Sequence, residues 1–293
     1  MPTPRDRQAR AEPQEIQALA ELKAEHPELA GAVDLQIELL RLQRWVRSRI
    51  PLPSLRIDGE RLAALERSGR PLLRFEEIPL NWSDLRFLLR ETTAALRRHE
   101  SLDEAEWRHV EALAREADAL EPLVAAWFAA AADRRAGGPA HGTTAGEPAA
   151  GDVERLDHLL TLAMRPFLTR CAEAALAQAD FRSWLRPYCP VCGGEPEFAA
   201  ITPAADRLLL CGRCTAGWRF APLTCPFCGN ADRARITSFA SRDGAYRIYA
   251  CDACRRYLKA HDGRRARRPL MLPVDSIATL PLDAAAMQRG YHA

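Results

Sequence analysis

Apolar residues recur at helical spacing through the first part of the chain. They return every three to four positions from residue 14 to about residue 136, with charged residues on the remaining faces. One such stripe comprises Leu35, Leu39, Leu42 and Val46. This pattern predicts an N-terminal bundle of about five helices.

The chain then loses this periodicity and regains it. Residues 137–151 are mostly Gly, Pro, Ala and Thr, which predicts a flexible loop. From Asp152 to about Ser183 the apolar residues again follow the helical period. We expect one long helix here, with Met164 and Phe167 packed in the core.

After Pro187 the pattern changes to short β-prone runs that alternate with cysteine pairs. Arg207–Leu210 and Tyr246–Tyr249 are two such runs. Eight of the nine cysteines lie in this part of the chain and form four C-x-x-C pairs, separated by 18, 10 and 22 residues. Two such pairs can surround one tetrahedral ion at about 2.3 Å. The predicted metal ligands are Cys189, Cys192, Cys211, Cys214, Cys225, Cys228, Cys251 and Cys254.

An internal repeat predicts which pairs share an ion. Each repeat begins with C-P-x-C-G, at Cys189 and at Cys225, and ends with a further C-x-x-C pair. Because repeats normally close on themselves, we expect the first pair to join the second and the third to join the fourth. A nested arrangement, in which the second pair joins the third, is the alternative. Each C-x-x-C pair is expected to form a tight turn, here called a knuckle. Gly193 and Gly229 are expected to permit the positive φ that this turn needs.

Each four-cysteine repeat, here called a ribbon, is too short for a hydrophobic core of its own. A segment such as Cys189–Cys214 falls below the roughly 40 residues at which a lone core becomes viable, so we expect metal-free ribbons to be unfolded or loose. Disulfides are the alternative use of eight cysteines, but a chain without a recognisable secretory signal disfavours them.

These patterns predict a mainly α fold, with an N-terminal helical bundle followed by two tandem zinc-ribbon β subdomains. At 293 residues the chain is long enough for about two core-forming units. The predicted segments are a helical domain at 1–136, the loop at 137–151, a long helix at 152–186, a first four-cysteine ribbon at 187–224, a second at 225–266 and a C-terminal tail at 267–293.

No catalytic motif accompanies the cysteines. The sequence has no phosphate-binding glycine loop, no G-x-S-x-G elbow and no H-E-x-x-H helix. Cys171 is expected to be a small buried residue in the long helix, and His261 is expected at the surface. We therefore expect a protein that is not an enzyme.

Charge and hydropathy limit the classes of partner. The net charge of +2 predicts no general attraction to nucleic acid or to anionic lipid. The longest apolar run, Pro122–Ala132, would span about 16 Å as a helix, whereas a bilayer core needs about 30 Å. The first residues lack the continuous apolar stretch of a secretory signal. We expect no membrane span and a cytoplasmic protein.

The cysteine pairs lie in the motifs C-P-V-C-G at 189–193, L-L-C-G-R-C at 209–214, C-P-F-C-G at 225–229 and C-D-A-C-R-R-Y-L-K at 251–259. Together with Trp218 and with the C-terminal run Val274–Asp283, Gly290 and Tyr291, these motifs resemble the FdhE family, accessory factors for formate dehydrogenase maturation. Two stretches of the helical half, Gly69–Leu73 and Ala163–Pro166, also resemble that family.

The resemblance implies a cytoplasmic, non-catalytic protein with two rubredoxin-like ribbons. It implies that the ribbons bind two tetrathiolate ions, iron or else zinc, and that the protein engages the catalytic subunit of a formate dehydrogenase during assembly. The contact surface is then expected where the helices meet the ribbons, close to the knuckles at 189–193 and 225–229.

Two other functions remain alternatives. A zinc-ribbon nucleic-acid-binding protein is suggested by Cys251–Arg268, which carries a net charge of +5, and by Tyr257, which is expected to be exposed. Binding domains usually carry a broad basic face, so one short basic stretch disfavours this function. A rubredoxin-like electron carrier is the second alternative, since tetrahedral tetrathiolate sites suit iron as well as zinc.

Overall fold

The computed structural model describes residues 13–99, 117–133 and 150–293. The predicted helical region is confirmed. Its described helices are α1 Gln14–Glu25, α2 Ala30–Arg47, α3 Gly59–Ser68, α4 Trp82–Arg98, α5 Ala117–Asp133 and α6 Ala150–Leu176. The predicted loop at 137–151 lies outside the described residues, except for its last two, which begin α6.

Helix α6 contributes many buried residues to the helical core. Met164 and Phe167 are fully buried on it, as predicted, in the same hydrophobic cluster as Leu88 of α4. The helix ends at Leu176, seven residues before the predicted end. The side chain of Asp180 accepts a hydrogen bond from the Arg182 amide at 3.0 Å, and such local turns compete with helix. No helix in the described stretches is long and apolar enough to cross a membrane.

The cysteine-rich region forms one six-stranded sheet. Its strands are β1 Pro196–Ile201, β2 Arg207–Cys211, β3 Gly217–Arg219, β4 Ile236–Ala240, β5 Tyr246–Cys251 and β6 Tyr257–Asp262. Their spatial order is β3-β2-β1-β6-β5-β4. The two predicted β-prone runs are confirmed as β2 and β5.

Each ribbon contributes three antiparallel strands, and the ribbons join through one parallel pair. Strands β1 and β6 run side by side, with Phe198 opposite Lys259 and Ile201 opposite Asp262. The amide of Gly263 extends this contact by donating to the Ile201 carbonyl at 2.8 Å. The two ribbons therefore share one sheet instead of folding as separate modules.

The end of the chain connects the helices to the second ribbon. It contains α7 Leu272–Ala278 and α8 Leu280–Gln288. Val274 of α7 is buried with Leu19 and Val33 of the first two helices. After α8 the chain returns to the sheet, where the Tyr257 amide donates to the His292 carbonyl at 2.9 Å.

Candidate metal centres

The structure brings the eight predicted ligands together as two groups of four. Within each group the four sulfur atoms all lie within 4.8 Å of one another, so each group could hold a metal ion. The first cluster is Cys189, Cys192, Cys211 and Cys214, and the second is Cys225, Cys228, Cys251 and Cys254. This grouping follows chain order, as the repeat predicts, and is not the nested alternative.

The sulfur separations fit a tetrahedral ion. The Sγ atoms of Cys189 and Cys214 are 3.5 Å apart, and those of Cys192 and Cys211 are 3.4 Å apart. Two pairs in the second cluster are separated by 3.7 Å. Four sulfurs at about 2.3 Å from one centre lie about 3.8 Å apart, whereas a disulfide needs about 2.05 Å. The four-sulfur donor set suits both zinc and iron.

All four knuckles have the same backbone turn. The residue after each second cysteine has a positive φ: 74° at both Gly193 and Gly229, 62° at Thr215 and 61° at Arg255. The amide of that residue donates to the carbonyl of the knuckle's first cysteine at 2.8 to 3.1 Å. The glycines were predictable from the sequence. Thr215 and Arg255 adopt the same turn without glycine, at a conformational cost, so residue type gave no signal there.

The first cluster is buried against the helical region. Its four cysteines are at most 2% exposed. The connection after α3 pairs with its first knuckle, since the Leu72 amide donates to Pro190 at 2.8 Å and the Leu73 amide to Val191 at 2.9 Å. The Tyr188 hydroxyl donates to the Gly69 carbonyl at 2.7 Å. The family-like stretch Gly69–Leu73 therefore holds the first knuckle in place.

Two arginines beside the first cluster were not singled out as candidate site residues, although both lie in stretches that resemble the FdhE family. The Arg213 guanidinium lies 3.8 Å from the Trp127 ring centre and donates to Asp157 at 3.1 Å. Arg165 of α6 donates to the Gly212 carbonyl at 2.7 Å and to Glu197 at 3.1 Å. The sequence offered one signal for Arg165: it is a lone arginine, next to Pro166, in an otherwise apolar stretch of α6. Each cation is matched by a carboxylate.

Burial makes the first cluster a poor site for free thiolates. Desolvation raises the pKa of the Cys189 and Cys214 thiols well above their usual range. Without a cation these two thiols would keep their protons, because four thiolates cannot share one dry pocket. A bound metal ion would replace those protons, so its binding would release protons.

The second cluster is partly open to solvent and lies beside a buried cation, Arg207. Cys228 is exposed and Cys254 is half-buried. Arg207, at the start of β2, is 3% exposed and donates to the carbonyls of Ala221, Pro222 and Thr224 in the loop before Cys225. Burial lowers its pKa to about 10.

Arg207 has no carboxylate partner among the described residues. Its Nε, also without a described partner, is buried, and its guanidinium carbon lies 5.5 Å from the Tyr249 ring centre. Four thiolates around a divalent ion carry a net charge of −2, which would offset this buried cation. Arg207 therefore links the first ribbon to the electrostatics of the second cluster.

Comparisons by sequence and by fold both find similarity to proteins named FdhE. No protein-family model matches the chain. The FdhE homolog of Aquifex aeolicus strain VF5 is 31% identical over 118 residues, which cover 38% of this chain and 41% of that protein. FdhE of Escherichia coli O127:H6 is 32% identical over 110 residues, covering 36% and 35%. The match spans less than half the length of these curated relatives.

The fold comparison extends over nearly the whole molecule. The crystal structure of the FdhE protein from Pseudomonas aeruginosa has a TM-score of 0.61 and 23% sequence identity, covering 94% of this chain and 91% of that one. The predicted resemblance to the FdhE family is confirmed. The FdhE-like fold thus combines the helical region with the two cysteine clusters.

Two residues expected at the surface are buried. His261, on β6, is 5% exposed and packs edge-on against Tyr246. Tyr257 is 4% exposed and its hydroxyl donates to Asp283 at 2.8 Å. Both expectations were wrong because the ribbons share one sheet, and this places β6 in its interior.

The basic stretch at the end of the second ribbon is largely neutralised. Hydrogen bonds from Arg264 and Arg247, working against burial, hold the pKa of Asp262 well below its usual range. Five of the seven basic side chains in the stretch Cys251–Arg268 form ion pairs: Arg255–Asp252, Arg256–Glu195, Lys259–Asp283, Arg264–Asp262 and Arg268–Asp275. The pairing removes the main feature that favoured nucleic-acid binding.

The two knuckle glycines provide a matched test of how differently the clusters are held. A Cβ at position 193 would lie 2.7 Å from Pro71 Cγ, whereas a Cβ at position 229 would meet nothing within 4 Å. Both alanine variants carry the left-handed cost of about 1–2 kcal/mol. Gly193→Ala should lose a further 1–3 kcal/mol or so from overpacking, measured as the free energy of unfolding in denaturant. Equal losses in the two variants would contradict the docking of the first knuckle.

Proposed function

We propose that this chain is a non-catalytic accessory factor that acts in the cytoplasm during formate dehydrogenase assembly and binds the catalytic subunit. The observation that carries this proposal is the joint match to FdhE proteins. One fold combines the helical region with both four-cysteine clusters, and it aligns with an FdhE crystal structure over 94% of the chain.

In this proposal all eight clustered cysteines are metal ligands. Cys189, Cys192, Cys211 and Cys214 would hold an ion that links the first ribbon to the helices, and Cys225, Cys228, Cys251 and Cys254 an ion that organises the exposed ribbon. A zinc ion would only cross-link the chain at each cluster, whereas an iron ion would also allow one-electron chemistry. The Thr215 and Arg255 turns have the same positive φ as the two glycine turns, so all four pairs would present their ligands from one kind of turn.

Burial favours one of the two knuckles as the proposed contact with the partner. The knuckle at 189–193, expected near a partner, is buried beneath the α3–α4 connection. The knuckle at 225–229 is accessible, with Cys228 and Gly229 exposed. We therefore place the contact with the catalytic subunit on the second ribbon, where a rigid loop can bind at low ordering cost.

Deleting the gene tests this function. Formate dehydrogenase activity should fall while the transcript level of its catalytic subunit stays constant, because the defect lies in assembly. Affinity capture with the tagged chain should recover the catalytic subunit. A strain carrying Cys171→Ser, which changes the one cysteine outside both clusters, should keep its activity. Normal activity in the deletion strain, with no subunit captured, would refute the proposal.

A further inference from the structure

Strand β4 is an unprotected edge of the sheet. It pairs with β5 and, among the described elements, with no other strand. Its sequence, Ile-Thr-Ser-Phe-Ala, contains no charge and no proline, the usual devices that keep a sheet edge from pairing. The opposite edge, β3, is only three residues long and ends in Arg219. An exposed five-residue edge of this kind can accept another strand.

The backbone register shows which groups are available. The Asp252 amide donates to the Arg235 carbonyl, and the Ser241 amide donates to the Tyr246 carbonyl, both at 2.9 Å. Main-chain groups alternate along a strand, so those of 235, 237, 239 and 241 face β5. Those of Ser238 and Ala240 face away from the sheet, and both residues are exposed.

Arginines lie at both ends of this edge. Arg233 and Arg235 precede β4, Arg242 follows it, and none of the three forms an ion pair with a described residue. Arg289 lies over the Phe239 ring at 4.4 Å.

The acidic residues beside the edge are already engaged: Asp252 accepts from the Thr237 hydroxyl and pairs with Arg255, and the other two lie in local turns. Asp232 accepts from the Ala234 amide, and Asp243 from the Ala245 amide. Their carboxylates are therefore directed into the turns, while the arginines remain available. A segment that carries carboxylates would complement this edge.

We propose that β4 binds an extended, acidic segment of the partner protein as a seventh strand of the sheet. The outward amides and carbonyls of Ser238 and Ala240 would pair with the segment's backbone. Arg233, Arg235 and Arg242 would bind its carboxylates. The inference rests on the proposed function and specifies how the catalytic subunit is held. It also places the bound segment beside the exposed second cluster, since Ile236 is opposite Cys251.

Two substitutions at one position separate strand addition from ordinary surface contact. Ser238→Pro removes the outward amide and leaves the bonds to β5 intact, and proline is tolerated on such an edge. Ser238→Val changes the side chain and keeps the amide. Binding of the purified catalytic subunit, measured by calorimetry, should weaken about tenfold or more in Ser238→Pro and stay within about twofold of the wild type in Ser238→Val. Both variants should keep the wild-type metal content and melting temperature.

Each outcome has a distinct meaning. Equal binding by the wild type and Ser238→Pro would overturn strand addition and leave the proposed function intact. Loss in both variants would point to a side-chain surface and would also overturn it. No binding by the wild type would refute the proposed function together with this inference. If Ser238→Pro fails to fold, Ala240→Pro makes the same test, because its amide also faces outward. Displacement of the subunit by a single-stranded oligonucleotide would reassign the basic edge to nucleic acid.

Discussion

Replacing Cys189 by serine should unfold the helical region, whereas replacing Cys254 by serine should leave it folded. The two residues belong to equivalent four-cysteine clusters, but the clusters have different surroundings. Cys189 is fully buried in the main core with Leu72, Leu73 and Val191. Cys254 is half-buried, and the second ribbon shares a small separate core, around Ile248 and Tyr257, with Ala286 and Tyr291 of the C-terminal segment.

The size of the effect follows from the energy of the metal site. Structural zinc contributes about 10–16 kcal/mol in small finger peptides, although part of that offsets the ordering of the chain. A whole domain is stable by only about 5–15 kcal/mol. Losing an ion from inside the main core should therefore exceed what the fold can tolerate. Losing one from the exposed ribbon should disorder only that ribbon.

Circular dichroism and thermal melting measure this difference. Cys189→Ser should lose its cooperative helical transition, and Cys254→Ser should keep it within a few degrees or so of the wild type. Cys171→Ser is the matched control, since Cys171 is buried in α6 and belongs to neither cluster. Burial raises the pKa of that thiol to about 12, so it is a neutral group and its loss removes no metal ligand. Equal damage from Cys189→Ser and Cys254→Ser would contradict the unequal roles of the clusters.

Removing two ligands of the second cluster should cost no more metal than removing one. Cys228 and Cys254 lie in different C-x-x-C pairs but in the same cluster. If each ribbon closes on itself, either serine variant loses the second ion, and the double variant loses nothing further. In the nested arrangement the two residues would serve different ions, and the double variant would lose both. The first ion, buried against the helices, is the internal reference.

The local features of the metal sites could be predicted because each depends on a few neighbouring residues. The C-P-x-C-G motifs predict a knuckle, and Gly193 and Gly229 have the positive φ that was expected. The helical period similarly places Met164 and Phe167 in the core, where they are fully buried. The repeat predicted the grouping of the cysteines, since a hairpin closes over a short loop.

The joining of the two ribbons could not be predicted in this way. It depends on the parallel pairing of β1 with β6, whose strands are separated by more than 50 residues. No local propensity or turn specifies such a pairing. Its consequences for single residues were missed with it, which is why His261 and Tyr257 were expected outside the core.

Burial of the first cluster could not be predicted from the sequence either, because it depends on docking between distant segments. Pro71 contacts the knuckle only once α3 and the first ribbon are in place. The net charge of Cys251–Arg268 overstated the unpaired positive charge of this stretch for a related reason. The acids that neutralise Lys259 and Arg268, Asp283 and Asp275, lie in the terminal helices, outside the basic stretch. Net charge over a segment ignores partners that the fold supplies from elsewhere.

Metal content measured by native mass spectrometry tests most directly whether the chain holds two ions, each closed within its own ribbon. The wild type should carry two ions, and Cys228→Ser, Cys254→Ser and the double variant should each carry one. A wild type without metal, or a double variant that has lost both ions while each single variant keeps one, would contradict this account.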